Sequence, residues 1–344
     1  MFRDRIEQRW LAAFEQVFTL CKVSPGDEIA ILTETQSRQL NAELSRLALE
    51  SLGARVFQIE VPTPAQTAPV PIRSTGASQV LNGQGAALAA LKESAMVVDL
   101  TVEGLLHAPQ LPEILGAKSR VMMVSNEHPD ALERLVPRPE DEGVVRDAIG
   151  ICRSASAMQV SSAAGTELSI DLNDARTGGV WGWAHKPGMV SHWPGGIVVN
   201  FPQPGSVNGR LVMDVGDINL TFKRYLEQPV ELIIENDFVT EVNGSGTDAE
   251  LMRRYFAAWG DREAYGVSHV GWGLNQRARY EALAMYDQRD LNGTELRAFG
   301  GNFLYSTGAN EAAGRYTEGH FDLPLKNCTI EIDGNKVVDA GQLL

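Results

Sequence analysis

Two side chains set two residues apart, His320 and Asp322 in Gly319-His320-Phe321-Asp322-Leu323-Pro324, are the residues whose spacing most readily supports chemistry. In an extended strand alternate side chains share a face, so the imidazole and the carboxylate point one way and Phe321 the other. Fixed side by side they make two corners of a metal site. A third corner is available in His269, within Gly266-Val267-Ser268-His269-Val270-Gly271-Trp272-Gly273-Leu274-Asn275. Two histidines and one carboxylate on one side of a metal leave the opposite positions open, the ligand set with which non-haem Fe(II) enzymes hold substrate and dioxygen together. The same spacing also suits a hydrogen-bonded structural pair with no metal.

Four of the six histidines fall in the second half of the chain: His185, His192, His269 and His320. His192 sits in Val190-Ser191-His192-Trp193-Pro194-Gly195-Gly196, read as a loop running into a strand. His107 closes a loop just beyond a strand ending at Asp99, and in open α/β sheets ligands are met at that end. Imidazoles titrate near neutral pH and so can exchange protons with a substrate. Capping or stacking on a tryptophan is the alternative for each. It is the preferred reading for His185, beside Trp181 and Trp183, while His128, which precedes Pro129 at a helix start, is read as part of a helix cap or solvent-facing. A two-metal hydrolase needs further bridging acids. The two Gly-rich segments, both read as loops, offer Ile197 and His269 instead, and Glu318 is one spare carboxylate near His320.

The elements that must position these residues follow from periodicity. Ile6, Trp10, Phe14, Val17 and Phe18 predict an amphipathic helix over about 3–22. A strand at Glu28–Leu32, a helix at Leu40–Leu52 and a strand at Arg55–Ile59 form a βαβ unit. A proline-rich loop over Val61–Ile72, a helix at 84–94 and strands at Ala95–Asp99 and Arg120–Val124 continue the pattern. No Gly-rich phosphate-binding motif follows the first strand. Beyond about residue 150 short strands dominate: Thr166–Leu172, Gly196–Asn200, Gly209–Val215, Val230–Glu235, and a hairpin over Thr329–Val338 turning at Asp333-Gly334. Helices are expected from a capping box at Thr247-Asp248-Ala249-Glu250 to Trp259, and over Asn275–Met285. The expected fold is therefore α/β: an N-terminal Rossmann-like α/β domain, 1–150, and a C-terminal mostly β (α+β) metal-binding domain, 151–344.

A net charge of -14 over 344 residues argues against nucleic acid and anionic membranes as partners, leaving small molecules. Three scattered cysteines, Cys21, Cys152 and Cys328, suit reduced thiols in a cytoplasmic protein. The N-terminus has charges where a signal peptide needs an apolar run, and no stretch is long enough to cross a bilayer.

The Ser268–Asn275 segment, the Gly300-Gly301-Asn302-Phe303 to Asn310 stretch and Gly319-His320-Phe321-Asp322 occur in an order that resembles the 2,5-dihydroxypyridine 5,6-dioxygenases of nicotinate and nicotine breakdown. The chain also looks like a relative of the M29 metallo-aminopeptidases. Ile197 and His269 stand where those peptidases carry glutamates, a departure that favours one iron over two zincs. The resemblance implies Fe(II) held by His269, His320 and Asp322, with His107 and His192 acting on the substrate and Ser306 touching it. It further implies a hydroxypyridine and O2 as partners, and a homo-oligomer. An acidic substrate contact expected from the family has no evident counterpart in the Arg176–Ala184 segment.

Overall fold

The computed structural model describes residues 5–65 and 78–344; part of the loop expected over Val61–Ile72 lies outside the described residues. The first layer is a parallel sheet of five strands, in the order Arg55–Val61, Glu28–Glu34, Met96–Asp99, Arg120–Val124 and Val190–Trp193. Its inner strands are apolar on both faces, because helices cover both sides. Helix Gln8–Leu20 places Trp10, Phe14, Val17 and Phe18 against Ile29 and Ile31, whereas Leu91 and Ile114 pack beneath Ala30 and Val97 on the other face. Ile6, expected on the helix, precedes it and is partly exposed. Three helices, Leu111–Gly116, Pro139–Arg153 and Thr294–Ala298, lie where the periodicity predicts none.

The fifth strand comes from beyond residue 150, so the chain crosses the expected boundary and returns. His192 is therefore not in a loop. It lies within a strand whose neighbour, Arg120–Val124, pairs Met123 with it.

The second layer is an antiparallel sheet of five strands, ordered Arg315–Leu325, Phe303–Asn310, Val267–Gly273, Ile197–Phe201 and Arg176–Val180. Its outer flank is an eight-stranded sheet that includes the hairpin Cys328–Ile332 and Asn335–Asp339. Asp333 and Gly334 turn that hairpin with positive φ, as expected. The glycine-rich segment around His269, read as a loop, is a central strand buried along its whole length. Glycine is needed there for close backbone approach: a Cβ on Gly271 would overlap the Val198 carbonyl, and one on Gly273 the carbonyls of Ala298 and Phe299.

Two helix expectations change. The helix Gly246–Trp259 is preceded by Ser245, so Thr247 and Glu250 do not form its cap. Between Asn275 and Met285 only the turn Ala282–Met285 is helical, because Asn275 spends its side chain on the turn, accepting from Arg277 N and donating to Gly195 O.

Phe321 faces away from the site onto Tyr255 and Phe256, with ring centroids 4.1 and 5.1 Å apart. Phe321→Ala is expected to lower unfolding free energy by about 3–5 kcal/mol, checked by urea denaturation.

Candidate metal centre

The site is laid out by strand register. His269 pairs with Ser306 and Ser306 with Asp322, so three side chains form a row across three adjacent strands. His320 shares the face of Asp322, and its Nε2 is 3.1 Å from Asp322 Oδ1. His269 Nε2 lies 3.9 Å from the same oxygen. Ser306 Oγ donates to Oδ1, and Arg297 Nε, from the helical turn Thr294–Ala298, donates to Oδ2. Burial alone would push the Asp322 carboxyl up. The Arg297 charge, with His320 and His269, outweighs it and holds the group well below the usual carboxylate range.

The other wall comes from the parallel sheet. Asp99, at the end of its strand, accepts from Thr101 N, Thr101 Oγ1 and Leu105 N at 3.0, 2.7 and 2.7 Å. Those bonds fix the loop that delivers His107. The His107 ring lies nearly parallel to His269, centroids 6.2 Å apart, and 5.3 Å from His320. One ring nitrogen from each of these three histidines lies within 4.8 Å of the others. His107 Nδ1 is 3.5 Å from Glu311 Oε1. His192 Nδ1 is 2.6 Å from the Pro194 carbonyl. A carbonyl only accepts, so Nδ1 carries the hydrogen and Nε2 the lone pair. Burial pushes His192 down to about 4, keeping it neutral near pH 7, and pushes His269 down to about 3.

A cavity of about 770 Å³ brings His107, His192, His269, His320 and Asp322 to one surface. Ser306 is fully buried behind them, its hydroxyl given to Asp322 rather than offered to the cavity. His185 lies elsewhere, tilted against Trp181 and Trp183, and His128 accepts from Asp130 N as a helix cap. Sequence reasoning missed Arg297 and Glu311. No local spacing ties Arg297 to Asp322, 25 positions away. Arg176, Gly178, Gly179 and Val180 do line the cavity, while its acidic groups come from Asp99, Glu103, Glu311 and Asp322.

The donor set fits a metal. His269 Nδ1 is buried without a hydrogen-bond partner among the described residues, and such an orphan is costly unless something binds the ring. His269, kept neutral by burial, and Asp322, kept ionised by Arg297, are in the protonation states that coordination requires.

A family profile described as 2,5-dihydroxypyridine 5,6-dioxygenase matches residues 9–344. The chain belongs to the 2,5-dihydroxypyridine 5,6-dioxygenase family. A curated member of that name from Pseudomonas putida is 36% identical over 335 residues, spanning 96% of this chain and 95% of the relative. The solved 2,5-dihydroxypyridine dioxygenase of Pseudomonas putida KT2440 superposes with a TM-score of 0.89 at 35% identity, covering 97% of this chain and 96% of that one. AmpT from Thermus thermophilus shares the fold, with a TM-score of 0.67 at 14% identity over 98% and 99% of the two chains. The chain is thus a dioxygenase-family enzyme on an aminopeptidase-like fold.

In this dioxygenase, Arg297→Gln removes the cation that keeps Asp322 ionised. The Asp322 contribution is present above the unfolded carboxyl pKa and lost as pH falls through the depressed folded value. For metal-free protein the variant is therefore expected to lose about 3 kcal/mol at pH 7, with the gap to the native chain closing below about pH 4. Denaturant titrations across that range check it.

Proposed function

We propose that this enzyme is an Fe(II)-dependent dioxygenase that opens 2,5-dihydroxypyridine between C5 and C6, both atoms of O2 entering to give N-formylmaleamate. The observation that carries the reading is the buried cluster in which two imidazoles and one ionised carboxylate converge on a cavity, with His269 Nδ1 lacking a hydrogen-bond partner among the described residues. His269, His320 and Asp322 would hold the iron, which when bound supplies the redox chemistry by which triplet O2 reacts with a closed-shell ring. A two-metal aminopeptidase is disfavoured because Ile197 presents an aliphatic wall to the cavity where a bridging acid would be needed.

The protein's own groups handle binding and protons. The apolar wall of Leu106, Pro109, Met123, Val190 and Leu304 packs the ring and keeps water out. His107, with Glu311 behind its Nδ1, is placed to take a ring hydroxyl proton, since the carboxylate stabilises the imidazolium formed. His192, neutral and with its lone pair on Nε2, accepts a hydrogen bond from the substrate. Ser306 and Arg297 orient the carboxylate. The three cysteines are free and buried, which suits a reducing compartment, and we place the enzyme in the cytoplasm. Among the described residues no helix is long and apolar enough to cross a membrane.

A second reading makes His107 a third imidazole ligand, favoured by the mutual approach of the three rings. The variants separate the two. His320→Ala is expected to abolish iron binding, whereas His107→Ala and His192→Ala keep about one iron per chain and lose turnover by about 100-fold or more. Metal analysis after anaerobic reconstitution and oxygen uptake with 2,5-dihydroxypyridine, gentisate and a leucyl peptide are the measurements. Iron loss in His107→Ala selects the three-histidine site, and full activity in His320→Ala removes the proposal.

A further inference from the structure

The cavity wall carries a second polar cluster, made of residues other than the histidines, whose hydrogen-bonding capacity is not used up. Ser125 follows the strand Arg120–Val124, beside the strand of His192, and its N–H donates to Trp193 O at 2.9 Å. Facing it is the loop that leads into the turn carrying Arg297. Ser125 Oγ and Thr294 Oγ1 are 2.6 Å apart, and Asn292 Nδ2 is 2.9 Å from the first and 3.3 Å from the second. All three residues line the cavity that holds the histidines. The loop is built in place: the buried Glu127 accepts the backbone N–H groups of Asn292, Gly293 and Thr294 at 2.8, 2.9 and 3.0 Å.

Counting hydrogens shows what is left over. The contact between the two hydroxyls consumes one hydroxyl hydrogen. All three contacts are then satisfied only with the Asn292 nitrogen facing inward, since an amide oxygen there would meet one hydroxyl with no hydrogen to give. One hydroxyl hydrogen and Asn292 Oδ1 remain, a donor and an acceptor carried by residues of the cavity wall.

We propose that Ser125, Asn292 and Thr294 form a specificity subsite for the lactam edge of a 2-pyridone-type ring. Asn292 Oδ1 accepts from the ring N–H, and the spare hydroxyl donates to the adjacent carbonyl oxygen. This deepens, and rests on, the ring-cleavage reading above. In the pyridone tautomer of 2,5-dihydroxypyridine the N–H and C2 oxygen are neighbours and the 5-hydroxyl lies opposite. Anchoring the lactam at this cluster turns the 5-hydroxyl carbon toward the imidazoles. A carbocyclic ring of the same outline leaves the cluster unpaired, and sites built to hydrogen-bond a group reject analogues lacking it.

The test is calorimetric binding of 2-pyridone and of phenol to the full chain, alongside oxygen uptake with 2,5-dihydroxypyridine. The native chain is expected to bind 2-pyridone at least about tenfold more tightly than phenol. Asn292→Ala, and separately Ser125→Ala combined with Thr294→Val, should each remove about tenfold of that preference with phenol affinity unchanged. Equal loss for both probes, an unchanged preference, or no 2-pyridone binding by the native chain overturns the subsite. Absent ring cleavage with the 2-pyridone preference intact instead overturns the reaction and leaves the subsite standing.

Discussion

A carboxylate almost wholly withdrawn from water is the constraint around which the site is arranged. Asp322 is 3% exposed, and an ionised acid in that position must be met by charge and hydrogen bonds. Arg297 meets one oxygen. Ser306, His320 and, at longer range, His269 surround the other. The identities of neighbouring residues follow from this need. A serine stands on the middle strand because its short hydroxyl reaches across one inter-strand spacing, and the turn Thr294–Ala298 is held so that Arg297 arrives from above. That turn is in turn secured by Glu127, itself buried, which gathers the backbone amides of the preceding loop.

The two sheets make different contributions. The antiparallel sheet supplies a rigid row of donors, fixed by register and by glycines that let the strands close up. The parallel sheet supplies the ends of its strands, where His107 and His192 emerge from Asp99-stabilised loop and strand terminus. On the proposed assignment, coordination would rest on the stiffer element and proton handling on the one whose loops can be shaped.

Much of this was legible in the sequence. Period-two alternation put His320 and Asp322 on one face with Phe321 opposite, and the structure shows that arrangement. The βαβ start, the Asp333-Gly334 hairpin and the helix-capping place of His128 were likewise readable from local chemistry. What was not readable depends on long-range packing. The glycines around His269 read as loop when taken alone, and become strand only because Val198 and Phe299 approach so closely. Asn275 read as helix until its turn-forming bonds were seen. Ser306 and Arg297 are joined to Asp322 through register and a distant turn, for which no spacing in the chain gives a signal.

The return of the chain to the first sheet at Val190–Trp193 has a mechanical outcome. That edge strand pairs with Arg120–Val124 and passes through Pro194-Gly195-Gly196 directly into Ile197–Phe201 of the site-bearing sheet, so a short covalent link joins the two layers beside the cavity. Leu106 and Tyr316, exposed members of the cavity lining, mark where it opens to solvent, and a ring passing there has only side chains to displace.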